Sequence, residues 1–182
     1  MSPEDFDAQF DRFTSTVFRL ETLQDYTGSE AEAVAAFLRG EPRAERSIRT
    51  SPWLARIART TLEGKQWQRV RVVEEPLTPY TQYEMAGYVE SQAAGERIRV
   101  VRRTDLPEIP LGACQRDFWL FDAGKVREFA LLMDYGPKGT FEDARLVTDP
   151  GTLQDLRWDA AMALGYSVPL NVYLAQRARR AA

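Results

Sequence analysis

At 182 residues, with 44% apolar and 28% charged side chains, the chain has the composition of a globular protein able to bury its own core, which excludes a disordered tail. Its net charge of −3 gives no global pull towards nucleic acid or anionic lipid. No apolar run approaches the roughly 20 residues that span a bilayer, the acidic start is unlike a secretory signal, and the single cysteine, Cys114, cannot form an internal disulfide, so a cytoplasmic single domain is expected.

Three helices are predicted first. Ser2-Pro3-Glu4-Asp5 places an N-cap serine before a proline and two acids, and Phe6, Phe10, Phe13 and Val17 recur on one helical face. The stretch 18–26 reads as an irregular connection packed on the core. Ser29-Glu30-Ala31-Glu32 is a capping box opening a second helix through Val34, Phe37 and Leu38, stopped by Gly40 and Pro42. Ser51-Pro52 starts a third, with Trp53, Leu54, Ile57 and Ala58 inward, ending near Gly64.

From residue 66 the period changes. Residues 66–73 alternate as a strand, with Val70 and Val72 opposite Arg69 and Arg71. Thr78-Pro79 caps a helix to about Ala94, which Gly95 ends, and 97–103 is a second strand with Ile98 and Val100 opposite Arg97 and Arg99. Strand, helix, strand with short connections predicts a βαβ unit and two parallel strands. A proline-rich loop (104–116, with Pro107 and Pro110) leads to a short apolar strand at 117–122, an Ala123-Gly124 turn and an antiparallel partner at 126–135. A last strand is expected at 144–148, a helix from Pro150, and an amphipathic piece from Val168 to Arg180. The fold class is therefore α/β (α+β): a helical part over 1–64, a mixed sheet core over 65–149 and C-terminal helices over 150–182.

Histidine is absent, which removes Ser-His-Asp and Cys-His systems and every His-containing metal site. Carboxylate chemistry, with or without Mg²⁺, stays open. Glu74-Glu75-Pro76-Leu77-Thr78-Pro79 stands where a glycine-rich phosphate loop would follow the first strand, and two glutamates there repel phosphate. Tyr80, Glu84 and Tyr88 share one face of the following helix. They are either amphipathic side chains at a sheet edge or the wall of a pocket for a polar ligand.

The arginines of the two strands (Arg69, Arg71, Arg97, Arg99, Arg102 and Arg103) form either a salt-bridged solvent face with Glu74, Glu96 and Asp105 or an anion-binding face. Residues 1–41 hold nine acids against three arginines, and 42–73 hold eight basic residues against two glutamates. Either the two stretches neutralise each other, or Arg43, Arg46, Arg49, Arg56 and Arg59 form a basic face. Asp117 and Asp122 are five residues apart, so on one strand they point to opposite faces. Asp122, beside Ala123-Gly124, fits a turn aspartate.

The stretches FRLETLQDY (18–26), RVRVVEEPLTPYTQYEMAGY (69–88), AGERIRVVRR (94–103) and DFWLFD (117–122) together resemble an actinobacterial family of small proteins of unknown function. Members are typically encoded beside Xre-type helix-turn-helix regulators in Streptomyces-like genomes. The resemblance covers about residues 10–160 and implies a partner, a DNA-binding regulator, rather than an activity. At the level of fold, a strand ending in Asp-x-Gly after a βαβ unit also resembles half of a phospholipase D-type domain. In that family a strand carries His-x-Lys and then, after four residues, Asp. Counting back from Asp122, those positions hold Gln115 and Asp117 here, so the nucleophile and the lysine are both missing. That resemblance implies a degenerate relative and a homodimer.

The expectation is a non-catalytic regulatory binding protein, without cofactor or metal, that partners a helix-turn-helix regulator and senses a small anionic ligand. Its candidate contacts are Arg71, Tyr80, Glu84, Arg99, Arg102, Asp117 and Trp119. One alternative is a carboxylate and Mg²⁺-dependent phosphodiesterase or nuclease using Asp117 with Asp134 or Glu84. A second is direct nucleic-acid binding through residues 42–59 and the C-terminal arginines.

Overall fold

A computed structural model describes residues 1–42, 46–107 and 114–181, with the side chains of Ser29 and Ala181 left aside. Arg43 and Pro110 lie outside the described residues. In chain order the elements are α1 (Pro3–Gln9), β1 (Thr16–Glu21), α2 (Thr27–Leu38), α3 (Pro52–Leu62), β2 (Gln66–Val73), α4 (Pro79–Ala93), β3 (Arg97–Arg102), β4 (Phe118–Phe121), β5 (Phe129–Tyr135), β6 (Phe141–Val147), α5 (Pro150–Tyr166), β7 (Val168–Pro169) and α6 (Leu170–Ala181).

Four helices begin alike, with a capping side chain followed by proline. Ser2, Ser51, Thr78 and Asp149 accept from the backbone N–H three residues on, at 3.0, 3.4, 3.1 and 2.8 Å, and the proline has no N–H to leave orphaned. α2 differs from expectation. It starts at Thr27, whose N–H donates to Asp25 Oδ1 at 2.7 Å, and Glu30 breaks its helical angles.

The sheet order is β6-β5-β4-β1-β2-β3-β7. β1, β2 and β3 are parallel, with α4 crossing between β2 and β3, and every other pairing is antiparallel. β6 begins at Phe141, three residues before the expected Ala144.

Two expectations fail near the N-terminus. The first helix stops at Gln9, and the stretch read as irregular holds β1, the strand at the centre of the sheet. Asp122 is the reason. Its carboxylate accepts from the backbone N–H groups of Thr14, Ser15 and Thr16 (2.7, 2.8 and 3.1 Å) and from the hydroxyls of Thr14 and Ser15. Those bonds draw the chain into β1 and outweigh the helical spacing of Phe13 and Val17. Asp122 is thus more than a turn residue.

The register gives the sheet two different faces. On one, Phe18, Leu20, Val70, Val72, Phe118, Leu120 and Leu132 pack against Leu153, Leu156, Ala160 and Ala163 of α5. The other begins as an aromatic cluster in which Phe10 contacts Trp53, Trp67 and Trp119 at ring-centre distances of 5.0, 6.0 and 4.9 Å. Further along the same face, beside α2 and α4, the side chains become charged.

Candidate functional site

β1 and β2 each carry two charged side chains onto this helix-covered face, because residues two apart on a strand point the same way. Register pairs Arg19 with Arg69 and Glu21 with Arg71. All four are buried, and a buried guanidinium without a counter-charge would cost several kcal/mol. Arg69 donates to Glu96 at 2.8 Å and to Glu21 at 2.7 Å. Arg71 donates to Glu84 of α4 at 2.6 Å. Arg19 donates to Asp117 at 3.0 Å and to Glu21 at 3.3 Å. Thr22 donates to Asp117 through both its N–H and its hydroxyl, each at 2.8 Å, and Tyr26 completes that carboxylate's shell. Among the described residues, Arg19 Nη1, Arg71 Nη2 and Glu96 Oε2 are buried without a hydrogen-bond partner.

Beside this layer lies a cavity of about 300 Å³. α4 supplies one wall with Tyr80, Tyr83, Glu84, Gly87, Tyr88 and Ser91, and Glu21 and Arg69 reach it from the sheet. Tyr26, Glu30, Arg46, Trp53 and Tyr135 complete the lining. The tyrosine hydroxyls are tied to the acids: Tyr88 donates to Glu21 at 2.7 Å, Tyr80 to Glu30 at 3.3 Å, and Tyr26 to Asp117.

Burial pushes Glu84 up to about 7, with the Glu21 charge adding to the effect and Arg71 opposing it. For Glu21, burial would raise the carboxyl, but Arg69, Arg19, Arg71 and the Tyr88 hydroxyl outweigh it and hold the group well below the usual range. Burial raises the phenols of Tyr26, Tyr80 and Tyr88, helped by neighbouring carboxylates.

The seven residues singled out in the sequence are not one site. Tyr80 and Glu84 line the cavity. Arg71, Asp117 and Trp119 belong to the buried layer around it, the Trp119 ring lying 5.2 and 5.6 Å from the guanidinium carbons of Arg19 and Arg69. Arg99 and Arg102 are elsewhere. Arg99 pairs in register with Val70, so it lies on the opposite face from Arg71 and donates to Ser167 at 2.8 Å. Arg102 is held by Asp105 through two bonds of 2.7 Å. The shared arginine face, solvent or anion-binding, is therefore not formed: register sets Arg69 and Arg71 opposite Ile98 and Val100.

Other charged groups are also separated or neutralised. Arg56 makes a bidentate pair with Asp7 at 2.6 and 2.7 Å, Arg59 pairs with Glu63 at 3.0 Å, and Arg46 pairs with Glu90 at 3.2 Å. The acidic first helix thus supplies the partner of Arg56, while Arg59 and Arg46 find theirs beside α3 and on α4. Asp117 and the exposed Asp134 line a recess of about 240 Å³, apart from Glu84, and both Asp117 oxygens already accept bonds. Among the described residues no three acid, histidine or cysteine side chains are grouped to hold a metal ion.

Sequence reading missed Glu21, Arg69, Tyr26, Trp53 and Tyr135 as neighbours. The available signal was the charged pair Arg19 and Glu21 alternating with the apolar Val17, Phe18 and Leu20, since charges rarely enter a core strand unpaired.

Fold and site together define an α/β protein with a seven-stranded mixed sheet, one face of which is an ion-paired layer beside a tyrosine-walled cavity. The chain belongs to the family described as a domain of unknown function, DUF6879, whose profile matches residues 4–175. A comparison with curated proteins finds no match. Among the described residues no helix is long and apolar enough to cross a membrane.

Proposed function

We propose that the chain is a non-catalytic, cytoplasmic regulatory binding protein, an accessory partner of a helix-turn-helix regulator, that holds a small charged ligand in the tyrosine-walled cavity. One observation carries the binding part. The cavity stands against charged groups already joined in ion pairs, so it can recognise charge and shape without presenting a free nucleophile. The anionic ligand expected from the strand arginines loses its support, because Arg71, Arg99 and Arg102 each have an internal partner.

The degenerate phospholipase D-like reading draws support from the hairpin of β4 and β5, with Asp122 at the end of β4 and Gln115 and Asp117 just before it. The carboxylate and Mg²⁺ alternative has less support, since Asp117 is fully engaged and stands apart from Glu84. Nucleic-acid binding through 42–59 is likewise weakened by the pairs of Arg46, Arg56 and Arg59.

Size-exclusion chromatography with light scattering tests the partnership. The full-length protein and the regulator encoded beside it are expected to co-elute at micromolar concentration, and the protein alone to run as a homodimer. Separate elution of the two proteins would overturn the accessory role.

A further inference from the structure

We infer that the tyrosine-walled cavity takes a small organic cation, a primary or quaternary ammonium compound, with Glu84 and Glu30 as its counter-charges. This inference rests on the cavity being a ligand site, as proposed above, and names the ligand's chemistry.

Three independent features of the lining agree. The first is charge. Around the cavity and in the layer beside it, Glu21, Glu30, Glu84, Glu96 and Asp117 stand with Arg19, Arg69 and Arg71, so carboxylates exceed guanidiniums. Arg46, at the rim, is itself paired with Glu90.

The second is hydrogen-bonding direction. The hydroxyls of Tyr26, Tyr80 and Tyr88 donate to Asp117, Glu30 and Glu21. A hydroxyl has one proton, so none of these three can also donate to an anion. Glu84 has capacity left for a donor. Its Oε2 takes the Arg71 bond, while among the described residues no donor reaches Oε1, although the side chain is nine-tenths buried and lines the cavity.

The third is the aromatic lining. Tyr26, Tyr80, Tyr83, Tyr88, Tyr135 and Trp53 border a space of about 300 Å³. Aromatic faces attract cations through the negative face of the ring quadrupole, and more strongly once water is excluded. A carboxylate ligand would meet those same faces and the carboxyl groups of Glu30 and Glu84. The ammonium group is therefore placed at Glu84 and Glu30, with its hydrocarbon part against the rings.

Calorimetric titration of the full-length protein with probes of matched shape and different charge tests this. The probes are phenethylammonium, 2-phenylethanol and phenylacetate, with tetramethylammonium as the quaternary case. Phenethylammonium and tetramethylammonium are expected to bind, and the neutral and anionic probes to bind at least about ten-fold more weakly. Glu84→Gln and, independently, the more accessible Glu30→Gln should each weaken phenethylammonium about ten-fold, and Ser91→Leu, which fills the cavity from α4, should abolish binding. Circular dichroism confirms that each variant folds, and Glu30→Gln carries the test should Glu84→Gln fail to fold. Phenylacetate or 2-phenylethanol binding as well as the cations, with sensitivity to Ser91→Leu, would overturn the cation assignment and leave the cavity as a ligand site. No binding of any probe, or binding indifferent to Ser91→Leu, would overturn both.

Discussion

Arg71 on β2 and Glu84 on α4 meet at 2.6 Å, thirteen residues apart in sequence, with the guanidinium wholly shielded from solvent. The pair joins the central sheet to the helix that walls the cavity. Removing one partner leaves a buried charge, whereas replacing both with apolar side chains removes the desolvation cost as well. Glu84→Leu, which strands a guanidinium that cannot lose its charge, is expected to destabilise the protein by about 3–5 kcal/mol, and the double variant Arg71→Met, Glu84→Leu to recover most of that loss. Urea unfolding followed by tryptophan fluorescence measures both. A double variant as unstable as the single one would show that the pair contributes more than its desolvation costs.

The same carboxylate sets a pH dependence. Glu84 is pushed up to about 7 from an ordinary value of 4.5. Between those values the native protein holds a proton that the unfolded chain has released. Its contribution to stability is therefore complete below pH 4.5 and is lost as pH rises through 7. Unfolding free energy should fall by on the order of 2–3 kcal/mol from this group between pH 5 and pH 8. The Glu84→Gln profile should be flatter across that window, and a profile parallel to the parent's would remove the assignment. Glu21 acts in the opposite sense: its lowered carboxyl stabilises the fold above the ordinary value of 4.5 and loses that effect under stronger acid.

Asp122 is expected to be among the most sensitive single positions. It accepts five hydrogen bonds from Thr14, Ser15 and Thr16 and itself sits at φ 50°, a left-handed conformation that aspartate and asparagine tolerate. Asp122→Ala should cost on the order of 3–5 kcal/mol, since the donors it leaves behind are part-buried. Asp122→Asn should cost less, because it keeps the backbone preference and one acceptor. Amide hydrogen exchange would locate the loss, with protection falling first along β1.

Gly139 and Gly124 separate local strain from a tertiary clash. Both adopt positive φ, +67° and +74°. A Cβ on Gly139 would strike the Asp25 carbonyl and approach Tyr26 Cα to 2.7 Å, whereas one on Gly124 meets nothing within 4 Å. Gly124→Ala should therefore cost only about 1–2 kcal/mol of left-handed strain. Gly139→Ala should cost more and displace Tyr26 from the cavity wall. Thermal melts and near-ultraviolet dichroism distinguish the two, and equal losses would refute the clash.

Much of the secondary structure was legible because its causes are local. A capping side chain before proline at Ser2, Ser51, Thr78 and Asp149 satisfies an N–H three residues away. The alternation over β2 and β3 follows from the two-residue period of a strand. β1 was not read as a strand, although Phe18 and Leu20 alternate with Arg19 and Glu21, because the helical spacing of Phe6, Phe10, Phe13 and Val17 runs into it and its boundary is drawn by Asp122 from more than a hundred residues away.

The candidate site divides along the same line. Tyr80, Glu84 and Tyr88 share a helix face, and that spacing is visible in the sequence. Their setting is not. Which face Arg99 joins depends on the register of β3 against β2, and a shift of one residue would reverse it. Placing Arg19 and Glu21 beside Arg69 and Arg71 requires β1 to pair with β2 across some fifty residues of intervening chain. Caps and strand alternation are settled within a few residues, so the sequence alone determines them. Counter-charges for buried arginines come from distant segments, so only the tertiary structure decided where the charged layer and its cavity would form.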